Sequence, residues 1–297
     1  MKSIFSILFT FLLIAQAVAQ NGALSFSGYG PVAFDSFWRI PTVTSGYDQL
    51  TFSTFSRASF DGVSNEYFTQ YFRADIPIGA GNGLSIRFPW HRFNVDPNRR
   101  LAQGMEAEGS EWGDLDFIFT INAFQDFFDR WADGKYNLLL IGEMHTAPTS
   151  RANRQFTDTI KMMGLIGFTG KWSLWRGTLV ARTFVGVGGW QDDELPRQNH
   201  ILKVSPSIEY LLSTSSNWAW GASTGLTALR GEKRGDDGVQ WQANLLAKDA
   251  RSRTYRLGLG TITYTEGSRG FVTQFEVGAS FPIWFKGFQQ VEAFRGS

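Results

Sequence analysis

The chain has 297 residues with 28 Lys and Arg against 27 Asp and Glu, and this near-neutral balance excludes the clustered basic excess of a nucleic-acid surface. Cysteine is absent, which excludes thiol catalysis, disulfide frameworks, thiolate-held metals and anchoring through a lipoprotein cysteine. A mean hydropathy of −0.17 reads as soluble, yet a transmembrane barrel with a polar lining averages to a similar value.

Residues 1–19 read as a secretory signal peptide: Lys2 is the positive start, Ile4 to Ile14 the apolar core, and Ala17-Val18-Ala19 a small-x-small cleavage site. A membrane anchor needs about 20 apolar residues, and this run is shorter and interrupted by Gln16. No later stretch is apolar enough to span as a helix, so any crossing must be made by strands. Residues 20–48 lack a period and contain Pro31 and Pro41. They fit a periplasmic segment, a plug in the lumen or an extra strand.

From there to residue 285 the chain alternates. Twelve strands are predicted, at 49–60, 65–76, 84–93, 114–123, 135–147, 158–169, 175–188, 200–212, 218–229, 239–249, 254–265 and 271–283. Successive side chains of a strand point to opposite faces. Leu84, Ile86, Phe88 and Trp90 therefore oppose Ser85, Arg87 and His91. In the next strand Leu115, Phe117, Phe119 and Ile121 oppose Asp114, Asp116, Thr120 and Asn122, with Ile118 the one apolar residue on the polar face. Most of these strands match the 9–11 residues that a tilted strand needs to cross hydrocarbon.

A soluble β-sandwich also alternates. Against it stand the aromatic outward faces and the placing of Trp90, Trp112, Trp172, Trp175, Trp190, Trp218, Trp241 and Trp284 at or near strand ends, where a bilayer interface holds an indole. The fold expected is all-β: a single antiparallel transmembrane β-barrel of about 12 strands spanning 49–285, with 286–297 as a C-terminal tail. An even strand number puts both ends in the periplasm. The longer connections, including 94–113, then face outward and the short turns face inward. The exception is 124–134, which reads as a short interfacial helix with Phe124, Phe127, Phe128 and Trp131 on one side.

The polar face supplies the candidate lumen-lining residues. Arg57, Arg73, Arg87, Lys161, Arg182, Lys203, Lys248 and Arg256 stand against Asp75, Asp114, Asp116, Glu143, Glu209 and Glu276, and His145 shares the face of Glu143. Eight cations against six anions imply internal pairing more than a strongly ion-selective pore. The Glu143, His145, Asp114 and Asp116 group suits metal binding or proton transfer in principle, but a polar lumen network is the simpler reading and no metal or cofactor is expected.

Lipid-hydrolysing barrels pair a strand histidine with a serine two residues later. Here His91, His145 and His200 are followed at that spacing by Phe93, Ala147 and Leu202, so that constellation is absent and no enzyme is expected.

Two resemblances add to this. Glu276-Val277-Gly278-Ala279-Ser280-Phe281-Pro282-Ile283 resembles the last-strand targeting signal of bacterial outer-membrane barrels, which implies pairing with the barrel-assembly machinery; here the chain continues beyond it. Arg87-Phe88-Pro89-Trp90, the opening Gly113-Asp114-Leu115, and Ala147-Pro148-Thr149 are similar in order to motifs of the outer-membrane protein family named for the meta-pathway of phenol degradation. That family implies an outer-membrane channel admitting small hydrophobic or aromatic solutes. A structural barrel with a filled lumen and a lipid-modifying enzyme are the alternatives. The expected partners are outer-membrane lipid of a Gram-negative cell, the assembly machinery and a small hydrophobic solute, with no nucleic acid.

Overall fold

In the structure, a computed structural model, residues 50–61, 66–79, 82–94, 108–132, 135–146, 160–191, 198–213, 218–231, 237–264 and 271–283 are described. The expected signal peptide at 1–19, the segment 20–48, Ala147-Pro148-Thr149, Trp284 and the tail 286–297 lie outside them.

The strands are β1 (Leu50–Asp61), β2 (Glu66–Gly79), β3 (Asn82–Asn94), β4 (Glu108–Trp112), β5 (Leu115–Ala123), β6 (Tyr136–Thr146), β7 (Lys161–Leu174), β8 (Gly177–Gln191), β9 (Gln198–Ser213), β10 (Trp218–Gly231), β11 (Gly238–Asp249), β12 (Thr254–Tyr264) and β13 (Phe271–Ile283). One helix, α1 (Gln125–Ala132), joins β5 to β6. Each strand pairs antiparallel with its neighbours, and β1 pairs with β13 from Leu50↔Ile283 to Asp61↔Val272, which closes the sheet. Closure leaves no edge, so the ladder satisfies backbone groups that hydrocarbon would leave unpaired.

β4 and β5 are two halves of one stave, giving twelve staves from thirteen segments. Both pair with β3: Arg87 sits opposite Asp116, and Trp90 opposite Trp112. Phe88 and Pro89 therefore face three residues, Gly113 to Leu115, which is one residue too many and makes a β-bulge. Gly113 N–H donates to the Pro89 carbonyl at 2.8 Å. The extra residue inverts the alternation: Trp112 points outward while Asp114 and Asp116 both point inward. A Cβ on Gly113 would fall on the His91 imidazole and 2.8 Å from Pro89 Cγ, so glycine alone fits there.

The faces separate as the alternation requires. Phe52, Phe72, Ile166, Leu245 and Phe275 are among the exposed outward side chains, while Arg57, Arg87, Lys161, Lys203 and Glu276 are buried inside. An outward face this apolar is stable only against lipid or another apolar cover.

Three details differ from the sequence reading. β4 lies within what was expected to be loop 94–113. β3 runs from Asn82 to Asn94, a little beyond the expected 84–93 at both ends. β7 continues through Gly170 to Leu174, and the turn expected at 170–174 is instead the two-residue Trp175-Arg176. Trp175 adopts φ 53° there, and Phe124 adopts φ 60° where β5 turns into α1. Bulky residues avoid that region at a cost of about 1–3 kcal/mol. The Phe124 carbonyl accepts from Phe127 N and Phe128 N at 3.0 and 3.1 Å, which starts the helix.

Candidate functional site

Among the described residues the interior combines polar chemistry with protection from lipid, and its charges are arranged in local groups. Across the closing seam, Glu276 on β13 binds Arg57 on β1 through Nη2 at 2.8 Å and Nε at 3.2 Å. Its other oxygen meets Arg256 on β12. The two guanidinium groups also lie over rings, Arg57 at 5.5 Å from Tyr71 and Arg256 at 4.5 Å from Phe55. Between β2 and β3, Arg73 donates to Asp75 at 2.7 Å and to Ser85 Oγ at 3.1 Å, and Ser85 donates to Asp75.

The third group joins β3, β5, β6 and β7. Arg87 Nε and His145 Nδ1 each donate to one oxygen of Asp116 at 2.5 Å. His145 Nε2 lies 3.5 Å from Glu143 Oε2, and Lys161 pairs with Asp114. Lys203 on β9 is within electrostatic reach of Glu143. Arg182 and Glu209 pair at 3.2 Å in a more exposed position. Burying charges is costly unless each finds an opposite charge, and this pairing meets that demand.

Lys248 differs from the rest: it is exposed at the end of β11 and belongs to the mouth, outside the buried network. Of the three histidines, His91 meets Thr69 Oγ1 at 2.9 Å, His145 is held by Asp116, and His200 is exposed at the start of β9. Among the described residues no group of three or more His, Asp or Glu is placed to hold a metal ion.

Charged residues are not the whole of the inner wall. Leu139, Ile141, Met163, Leu165, Phe184, Trp190, Ile201, Leu229, Ile262 and Val272 form one buried apolar cluster, and Ile118 packs against it. These side chains come from β6 to β10, β12 and β13. They alternate in step with inward polar residues on the same strands: Leu139 and Ile141 with Glu143 and His145, Ile201 with Lys203 and Ser205. That shared parity was the available signal. Apolar and charged side chains thus alternate along the inner face of β6 to β13.

The tryptophans divide. Trp90, Trp112, Trp172, Trp218 and Trp241 point outward, and Trp175 stands on its turn almost wholly exposed. Trp112 stacks on Phe88 at 4.5 Å and approaches Phe72 at 6.4 Å, while Trp241 Nε1 donates to Thr224 at 3.0 Å. Trp190 is a correction. Expected at the membrane interface, it is 3% exposed inside the barrel, because it keeps step with Arg182 and Phe184 on the inward face of β8.

Exchanging Glu143 for Gln keeps the side-chain shape and removes one buried charge beside His145 and Lys203. The expected result is a stability loss of about 1–3 kcal/mol in chemical denaturation and no change in any lipid hydrolysis. A hydrolytic activity that disappears with Glu143→Gln would contradict the lining role.

This closed, inside-polar and outside-apolar antiparallel barrel has the fold of the outer-membrane β-barrels. Solved structures of similar fold include the COG4313 outer membrane channel from Pseudomonas putida F1, with TM-score 0.51 and 11% identity over 83% of this chain and 98% of that one. LpxR from Salmonella typhimurium matches with TM-score 0.53 and 8% identity over 78% of this chain and 100% of that one. At such identities the likeness is one of fold. No protein-family model matches the chain, and no curated protein does.

Proposed function

We propose that the protein is a passive outer-membrane channel for small hydrophobic or aromatic solutes in a Gram-negative envelope, working without cofactor or catalysis. The observation that carries this is the inward apolar cluster from Leu139 to Val272. Barrel interiors are normally polar, and a strip of Leu, Ile, Met, Phe and Trp facing inward gives an apolar solute a surface it can follow out of water. The paired charges that alternate with it hold the staves in register and offer little unbalanced charge to attract ions.

The fold is shared with a solved outer membrane channel, which is compatible with this reading, although fold alone does not assign function. The likeness to the phenol meta-pathway family rests on Pro89, Gly113 and the residues around them, and it points to the same solute class. The export signal at 1–19 and the last-strand motif at 276–283 support an outer-membrane location reached through the assembly machinery.

One observation favours a second reading, a structural barrel with a filled lumen: His145, Lys161 and Lys203 are fully buried. Uptake of a small neutral aromatic probe into vesicles whose outer leaflet is lipopolysaccharide separates the two. A channel raises uptake above that of protein-free vesicles, and a filled barrel leaves it unchanged.

A further inference from the structure

One end of the barrel carries its short turns. There α1 leaves β5, and the neighbouring hairpin turns at Trp175-Arg176. Phe124, Phe127, Trp131 and Trp175 are 68%, 57%, 72% and 95% exposed, so a large aromatic surface stands beyond the strand ends. Phe127 and Trp131, one helical turn apart, stack at 6.1 Å and present one face, while Asp129 and Arg130 occupy the other side of α1. Phe124 and Trp175 hold their rings there in left-handed backbone conformations that neither residue favours.

The patch is continuous with the lipid-facing belt. Directly along β6 and β7, Tyr136 stacks on Phe168 at 5.6 Å and meets the Trp172 ring edge-on at 6.0 Å. Lys171 N–H donates to the Lys135 carbonyl at 2.7 Å and ties the foot of α1 to β7. The turn between β11 and β12, at the same end, is itself polar, with Asp249 accepting from Arg251 N and Arg253 N at 2.9 Å, and the aromatic rings beside it, Trp218, Trp220 and Tyr255, sit on the strands.

We propose that α1 and the β7–β8 turn form a lipid-binding foot, seated in the headgroup and glycerol layer of the phospholipid leaflet at the turn end. Phe127, Trp131 and Trp175 insert among the lipids, as interfacial aromatic rings on an amphipathic helix do. Lys171 and Arg176 reach the phosphates. In sequence, residues 124–135 together with Lys171 and Arg176 carry four cations and three anions, so ring insertion, not charge, drives the binding. The foot therefore holds zwitterionic phospholipid without needing an anionic one. It follows from the barrel's place in a membrane and does not depend on what the lumen passes.

The test uses the full-length protein in phosphatidylcholine vesicles with bromine on the acyl carbons nearest the headgroup. Wild type is compared with Trp131→Phe/Trp175→Phe, and the fluorescence lost on substitution is assigned to the two indoles. That component is expected to be quenched several-fold more by the brominated lipid than by aqueous iodide, and adding anionic lipid should leave the ratio unchanged. Quenching by iodide with none by bromolipid would overturn the proposal and leave the patch facing water, as a contact for a soluble protein would. If the double variant fails to fold, Trp175→Phe alone, altered at an exposed turn tip, gives the same reading for that ring.

Discussion

Replacing Glu276 with alanine is expected to cost the folded barrel about 3–5 kcal/mol, the usual penalty for removing one partner of a buried ion pair. Glu276 answers two cations at once, Arg57 at 2.8 Å on one oxygen and Arg256 on the other, and it lies on the seam that closes the sheet. Its loss removes the carboxylate that both guanidinium groups bind. Arg57 and Glu276 are directly paired across β1 and β13, so the damage falls on the one junction that joins the first stave to the last. Urea unfolding in detergent micelles, followed by tryptophan fluorescence, measures it. Arg57→Leu/Glu276→Leu is expected to be milder than Glu276→Ala, because it also removes one stranded charge. Equal losses would mean that the seam is held by the backbone ladder alone.

The second large effect is expected at Gly186. It lies on the inward face of β8, where a Cβ would fall on the Gly164 carbonyl oxygen and 2.7 Å from Leu165 Cα. Both neighbours are backbone, so no side-chain rotation relieves the clash, and β7 and β8 must separate locally. Gly186→Ala should then cost about 3 kcal/mol, at the upper end for overpacking. Gly142 and Gly164 have nothing within 4 Å of a built Cβ. Gly142→Ala is the matched control and should be close to neutral. The readout is the temperature at which the barrel loses its compact migration in a gel run without boiling. A Gly186→Ala protein as heat-stable as the Gly142→Ala protein would contradict the packing of β7 on β8.

The sequence makes the two faces legible because a strand has no freedom in where successive side chains point. Arg57, Arg87, Asp116, Lys161, Lys203 and Glu276 all lie inside, as alternation requires. The same rule would have placed Trp190 inside, where a rule about strand ends placed it outside. Apolar residues in step with charged ones, such as Leu139 beside Glu143, escape an expectation that a polar lumen is polar throughout.

Strand ends were less legible. Gly170 and Ser173 look like turn residues, yet β7 runs through them to a turn that contains no glycine and holds a tryptophan at positive φ. That choice belongs to the membrane end of the molecule, where an exposed ring has a favourable place. The bulge at Gly113 was hidden for a different reason. Reading 114–123 as one clean strand explains Asp114 and Asp116, but only an inserted residue lets Trp112 face outward beside them.

In the proposed channel the inward apolar strip carries the solute. Uptake of a neutral aromatic probe into lipopolysaccharide-faced vesicles, compared between wild type and Leu165→Asn, tests it most directly, since Leu165 lies within the strip at 3% exposure. Wild type should raise uptake above protein-free vesicles, and Leu165→Asn, once checked for normal gel migration, should lower it several-fold. Uptake by wild type no faster than through protein-free vesicles would contradict the claim.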